Sequence, residues 1–185
     1  MRNGQHQTRG PSPSPATLHV EQTWQGCVVA LSPAQLFHFE WHLLRLDDGS
    51  RRSRFGHAAS DAFLRDYKAG IDDPDWIVLG CFVDGHLRGA VELRPLRAGW
   101  RKRAEVAFTV EERWQGRGIG KALMATAVAA ARRQGVERIY LTCHALNRPM
   151  QAIAEGAGAR IDFEGCECFA EIDVAAERAP LALAS

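Results

Sequence analysis

Apolar residues fall into short blocks separated by Gly, Pro, Asp and Ser. Residues 25–31 (QGCVVAL) are brief and β-branched, which predicts a strand. Ser32 and Pro33 follow as an N-cap and a proline at the first helical position. Leu36, Phe39, Leu43 and Leu46 then recur at spacings of three and four, one face of a helix. Residues 47–61 (DDGSRRSRFGHAASD) interrupt the pattern and read as a connecting segment. Ser60 or Asp61 caps a second helix to about Lys68, which Gly70 stops. Residues 76–83 (WIVLGCFV) form the next strand, and Asp84-Gly85 is a hairpin signal. His86–Leu96 and Arg103–Val110 complete an antiparallel meander, with a turn at Ala98-Gly99.

A third helix is predicted over residues 118–134. Arg132 and Arg133 in its last turn suit the helix dipole, and Gly135 terminates it. Arg138–His144 (RIYLTCH) returns as a strand. A helical crossover should set it parallel to Arg103–Val110. Asn147 caps a fourth helix that Gly156 and Gly158 end. Residues 159–164 and 167–174 make a final hairpin about Gly165. The expected fold is α/β (α+β): a mixed, mostly antiparallel sheet of about seven strands flanked by about four helices. It occupies one domain, residues 23–175. Residues 1–22, with the Pro/Ser-rich "RGPSPSPAT", and residues 176–185 read as loosely attached tails.

Composition narrows the functions. With 46% hydrophobic residues the chain can build a core, and its net charge of +1 sets up no global field for nucleic acid or a membrane surface. Only local basic clusters at 51–54 and 97–103 favour a nucleic-acid reading, so neither nucleic acid nor membrane is an expected partner. No apolar run approaches the roughly 20 residues of a membrane span, and the N-terminus lacks a signal peptide's apolar centre. A cytoplasmic location is the expectation. The five cysteines are odd in number, which argues against a disulfide framework. Cys166 and Cys168 would share a strand face, but no second ligand pair accompanies them, so no metal is expected.

The stretch "RWQGRGIGKAL" (113–123) carries the strongest chemical signal. A P-loop needs glycine where Gln115 stands, and Ser or Thr where Ala122 follows Lys121. A dinucleotide fingerprint needs G-x-G-x-x-G, whereas Gly116, Gly118 and Gly120 are two apart. What remains is a glycine loop between a strand and a helix. A helix start offers unpaired N–H groups and partial positive charge, which suits a diphosphate. Without Cβ atoms, Gly118 and Gly120 admit phosphate oxygens to the backbone, and Arg117 and Lys121 add charge. An ordinary glycine-rich turn accounts for the same residues equally well.

The run "AEVAFTV", the loop "QGRGIG", the following helix and strand, and "NRPMQAIAEGAGA" together resemble the acyl-CoA-binding region of the GNAT N-acetyltransferase superfamily. The order of elements resembles that family from about residue 25 to 174. "LSPAQLFHFEWHLLRLDDGSRRSRFG" is similar to the opening segment of bacterial protein-lysine acetyltransferases. The resemblance implies acetyl-CoA as cosubstrate, with its diphosphate on Gln115, Gly116, Arg117, Gly118, Ile119, Gly120 and Lys121. The pantetheine arm would lie along the backbone of Phe108 and Val110, and Asn147 would contact it besides capping a helix. A homodimer is also common among small members.

Transfer to a primary amine needs a base, since a lysine-like amine titrates near about 10.4. Glu105 lies where some members carry a catalytic glutamate. Alternation places Glu105, Ala107 and Thr109 on one face and Val106, Phe108 and Val110 on the other. Many members place an acidic tyrosine seven residues after the Asn. Here that residue is Ala154, and neither Tyr67 nor Tyr140 fits the pattern. Water, Cys143 or His144 remain as proton sources. The expected activity is direct acetyl transfer to an amine, on protein lysine or a small molecule. The missing tyrosine motivates the alternative of a non-catalytic acyl-CoA-binding module. Asp47 and Asp48 could attract an amine acceptor, and Arg51, Arg52 and Arg54 an acidic one.

Overall fold

A computed structural model describes residues 24–97 and 101–175. The expectations for the two tails and for the Ala98-Gly99 turn lie outside the described residues. Strand β1 (Gly26–Ala30) leads through a 3₁₀ turn (Pro33–Gln35) into α1 (Leu36–Leu44), α2 (Asp48–Phe55) and α3 (Asp61–Ala69). The meander is β2 (Ile77–Val83), β3 (His86–Leu96) and β4 (Arg103–Val110). Then come α4 (Ile119–Arg133), β5 (Arg138–His144), α5 (Arg148–Gly156), β6 (Arg160–Glu164) and β7 (Glu167–Asp173). The seven strands form one sheet in the order β1-β2-β3-β4-β5-β7-β6, antiparallel except for β4 against β5.

Local chemistry sets most boundaries. Ser32 and Gln35 form a reciprocal capping box with Pro33 in the first turn. The Ser60 Oγ accepts from the Phe63 N–H at 3.2 Å, so Ser60 rather than Asp61 caps α3. Asp84 and Gly85 both have positive φ (51° and 73°), the turn that matches the twist of paired strands.

Helix α2 corrects the expectation of a loop over 47–61 and raises the helix count to five. Its signals are polar. The Asp47 carboxylate accepts from the Ser50 N–H at 2.8 Å, and Gly56 closes the helix with φ 76°. No residue of α2 is fully buried, so no apolar periodicity betrays it.

Two apolar layers sandwich the sheet. On one face α4 buries Ile119, Leu123, Met124, Ala127, Ala130 and Ala131 against Val91, Leu93, Ala104, Val106 and Ile139. On the other, Phe39 and Leu43 of α1 and Leu64 of α3 pack on Val78, Leu87 and Ala90. A polar cluster ties α1 to the end of β4. Glu111 accepts from Arg45 Nε and Arg88 Nη1, both at 2.8 Å, and Arg45 Nη2 donates to the Leu87 carbonyl. The buried His42 lies 3.6 Å from Glu111 through Nδ1, and its Nε2 meets the Thr109 hydroxyl at 2.9 Å. Burial keeps His42 neutral by lowering its pKa. Burial alone would raise the Glu111 carboxyl, but His42, Arg45 and Arg88 outweigh it and hold it at about 2.

A carboxyl depressed in the folded state stabilises fully above its unfolded pKa and loses that contribution as pH falls through the folded one. Thermal unfolding followed from neutral pH to about pH 2 should therefore show Glu111→Gln less stable than wild type above about pH 4.5. The two curves should converge between there and about pH 2. A difference independent of pH would contradict the assignment.

Candidate active site

The parallel ladder between β4 and β5 holds only at Arg103↔Arg138, Ala104↔Ile139 and Glu105↔Tyr140. Beyond Glu105 the strands diverge, although β4 continues to Val110 and β5 to His144. Which peptide groups face the gap follows from the two ends of β4. The Lys102 carbonyl accepts from Glu137 N–H on the β5 side, and the Glu111 N–H donates to Arg88 on the β3 side. Alternation between them turns the N–H and C=O groups of Val106, Phe108 and Val110 toward the gap. Phe108 and Val110 therefore present backbone to the cleft, while their side chains pack on the α4 layer.

The gap opens into two adjoining cavities. One, of about 700 Å³, is bordered by Glu105–Phe108 on β4 and Leu141–His144 on β5, with Arg52 of α2 and Glu167. The other, of about 640 Å³, runs past Phe108, Thr109 and Val110 to Trp114, Gln115, Gly116, Ile119 and Gly120. Each has the size of a small-ligand site. Asn147 borders both. Its carboxamide oxygen accepts from the Met150 N–H at 3.2 Å, so it caps α5 while facing the cleft.

The second cavity ends at the start of α4. Gly116 and Gly118 have φ of 71° and 87°, the left-handed region that a side chain disfavours, and Gly118 is the N-cap. A glycine cap contributes no side-chain acceptor, and the first helical hydrogen bond is Ala122 N–H to the Gly118 carbonyl. The N–H groups of Ile119, Gly120 and Lys121 thus precede any helical acceptor. The Gln115 amide donates to the Val110 carbonyl at 3.0 Å and fixes the loop to the strand end. Ile119 is fully buried as the first apolar anchor of α4. At Gly120 a Cβ would meet Ile153 Cδ1 at 2.7 Å, so close packing of α4 on α5 also favours glycine there. The two basic residues stand elsewhere. Arg117 stacks 4.8 Å from the Trp114 ring beside a neighbouring groove, and Lys121 borders a groove between α4 and α5.

Glu105 lines the first cavity beside the last β4–β5 pair. It is ion-paired with Arg94, its cross-strand partner on β3. The face it shares with Ala107 and Thr109 is opposite the α4 layer, as alternation predicts. Over this face α2 brings Arg54, whose Nη2 donates to Glu92 Oε1 and to the Tyr67 hydroxyl, each at 2.7 Å. The Tyr67 hydroxyl donates in turn to Glu92 Oε2 at 2.7 Å. Glu92 is 2% exposed. Sequence reasoning missed Glu92 and Glu111, and with them the links to Arg54, Tyr67, Arg45 and Arg88. The one legible hint was a carboxylate inside an apolar strand run.

Several other expectations change. Ala154 is fully buried in the α4–α5 core, and Tyr67 is bound to Glu92. Tyr140 stands opposite Glu105 at the closed end of the gap. Cys143 faces the cavity, but burial and the neighbouring Cys168 push its thiol up to about 12, so it is not a ready nucleophile. His144 borders the cleft with Nδ1 accepting from Leu146 N–H at 3.1 Å. Cys166 sits exposed in the β6–β7 turn while Cys168 is buried in β7, so the two do not share a strand face. Members of both basic clusters are engaged internally. Arg51 binds the Leu44, Leu46 and Ala59 carbonyls and Asp61, and Arg97 binds Asp73. No helix among the described residues is long and apolar enough to cross a membrane.

Solved structures share this architecture. The GNAT domain of S. lividans PAT is 24% identical and superimposes with a TM-score of 0.67 over 80% of this chain and 90% of that one. The structure of yncA from Salmonella typhimurium, determined with its cofactor acetyl-CoA, is 14% identical with a TM-score of 0.64, covering 85% of this chain and 99% of that one. A ribosomal-protein-alanine N-acetyltransferase from Brucella melitensis gives 16% identity and a TM-score of 0.62 over 80% and 99%. At these identities the likeness is one of fold. The sequence model of the Acetyltransferase (GNAT) family matches residues 36–159, more than half of the chain, and the protein belongs to that family.

Proposed function

We propose that the protein transfers the acetyl group of acetyl-CoA to a primary amine, on protein lysine or a small molecule, by direct attack in a ternary complex. The observation that carries this reading is the divergence of β4 from β5, which leaves strand backbone facing a cleft that ends at an uncapped helix start. The diphosphate would rest on the N–H groups at Gly118–Lys121, and the pantetheine amides would pair with Phe108 and the Val110 N–H as an added strand. The Val110 carbonyl is already taken by Gln115.

The thioester then lies where the two cavities join, and the amine approaches through the cavity that holds Glu105. The amine lone pair attacks the carbonyl carbon, its proton passes to the Glu105 carboxylate directly or through water, and the C–S bond breaks. The Arg94 pair is half-exposed, so an incoming amine can compete for Glu105 at modest cost.

Two measurements test the reading. Titration calorimetry should detect acetyl-CoA binding. Gly118→Ala, forced to keep a left-handed backbone, should weaken it and lower stability by about 1 kcal/mol. Absence of binding to wild type would refute the cleft assignment. Thiol release should then be followed with a panel of lysine peptides, polyamines and amino acids. Glu105→Gln should lower kcat by about 100-fold or more with little change in acetyl-CoA affinity. Binding without release on any amine would support a non-catalytic acyl-CoA-binding module, the reading favoured by the missing tyrosine.

A further inference from the structure

The two cavities meet at a neck. Gly49, Ser53 and Arg54 of α2, Phe108 of β4, and Asn147 and Met150 at the head of α5 border both of them. A thioester passing from the loop side to the Glu105 side crosses this neck, and α5 offers no acid there because Ala154 is buried. Arg54 is the one cation among the six.

Its hydrogen bonding is unusual for an anchor. A guanidinium that holds a carboxylate frequently presents two nitrogens side by side. Here Tyr67 takes Oε2 of Glu92, and Arg54 reaches Oε1 and the tyrosine hydroxyl through Nη2 alone. Nε is buried without a partner, and Nη1 bonds to no described residue. The group is nonetheless rigid: its side chain is 15% exposed, it lies 4.7 Å from the Phe55 ring, and Glu92 is rooted in β3 opposite Ala107. A held guanidinium with a spare donor, where the two cavities adjoin, suits an anion that forms there.

We propose that Arg54 is a further catalytic residue whose unused Nη1 N–H groups stabilise the CoA thiolate as it leaves, in place of the tyrosine acid. This rests on the acetyl-transfer reading of the cleft. The C–N bond forms as the C–S bond breaks, and sulfur keeps the bonding electron pair. The amine proton goes to Glu105, and Arg54 gives a hydrogen bond without giving up its proton. The thiolate departs or takes a proton from solvent.

The test compares CoA with desulfo-CoA, which lacks the thiol, by titration calorimetry across pH. Contacts that the two ligands share cancel in the ratio, which leaves the thiol as the difference between them. For wild type the preference for CoA should grow by about tenfold as pH rises toward the thiol's own titration near about 8.5. It should stay flat in Arg54→Met/Glu92→Gln, in which no buried carboxylate is left without its cation. It should also stay flat in Arg54→Lys, which keeps the charge but loses the planar donors. Turnover of both variants should fall by about 100-fold. A flat ratio in wild type, or an equal rise in the variants, overturns the proposal. Failure of wild type to bind either ligand would instead remove the cleft reading on which it rests.

Discussion

Strand β4 is paired on both edges for only its first three residues, and the rest of the site follows from that constraint. A strand inside a sheet normally satisfies its peptide groups on both sides, and each group buried without a partner costs about 1–3 kcal/mol. From Val106 onward β4 has β3 on one side and a cleft on the other. A ligand carrying amide groups in extended form can pair with those peptide groups in the manner of an added strand. The same divergence exposes the start of α4, because the chain leaving β4 must turn sharply at Gly116 and Gly118 to pack α4 on the sheet.

Polar contacts brace β4 on either side of Thr109. On one side, Gln115 closes the Val110 carbonyl and Glu111 draws Arg45 and Arg88 onto the strand end. On the other, Arg54 and Glu92 pin α2 over Ala107. Burying Glu92 carries a desolvation cost that an apolar contact would avoid. What the pair supplies is position: α2 has no fully buried residue, so apolar packing alone would fix it poorly.

Most of the sheet was legible because its signals are local. The Asp84-Gly85 turn, the strands Arg103–Val110 and Arg138–His144, and the parity of Phe108 and Val110 follow from period-two alternation and turn chemistry. Helix α2 was not legible because its face is polar, and a capping Asp47 with a closing Gly56 is a weak signal without periodicity. The polar clusters were hidden for another reason. Arg54 and Glu92 are 38 residues apart, and Arg45 and Glu111 66, so only the sheet register brings them together.

That same distance explains why the loop motif points to a cofactor while leaving the acid-base chemistry open. The proposed diphosphate cradle is contiguous, built around one turn at the start of α4, and a sequence displays it whole. The neck is assembled from α2, β4 and α5, and its cation is oriented by β3 and α3. On the proposed reading, the group that meets the leaving sulfur can therefore stand on a different element from the cradle. In this protein the residue seven after Asn147 is the core alanine Ala154, and the α2 wall of the cleft carries a guanidinium fixed by a carboxylate and a phenol.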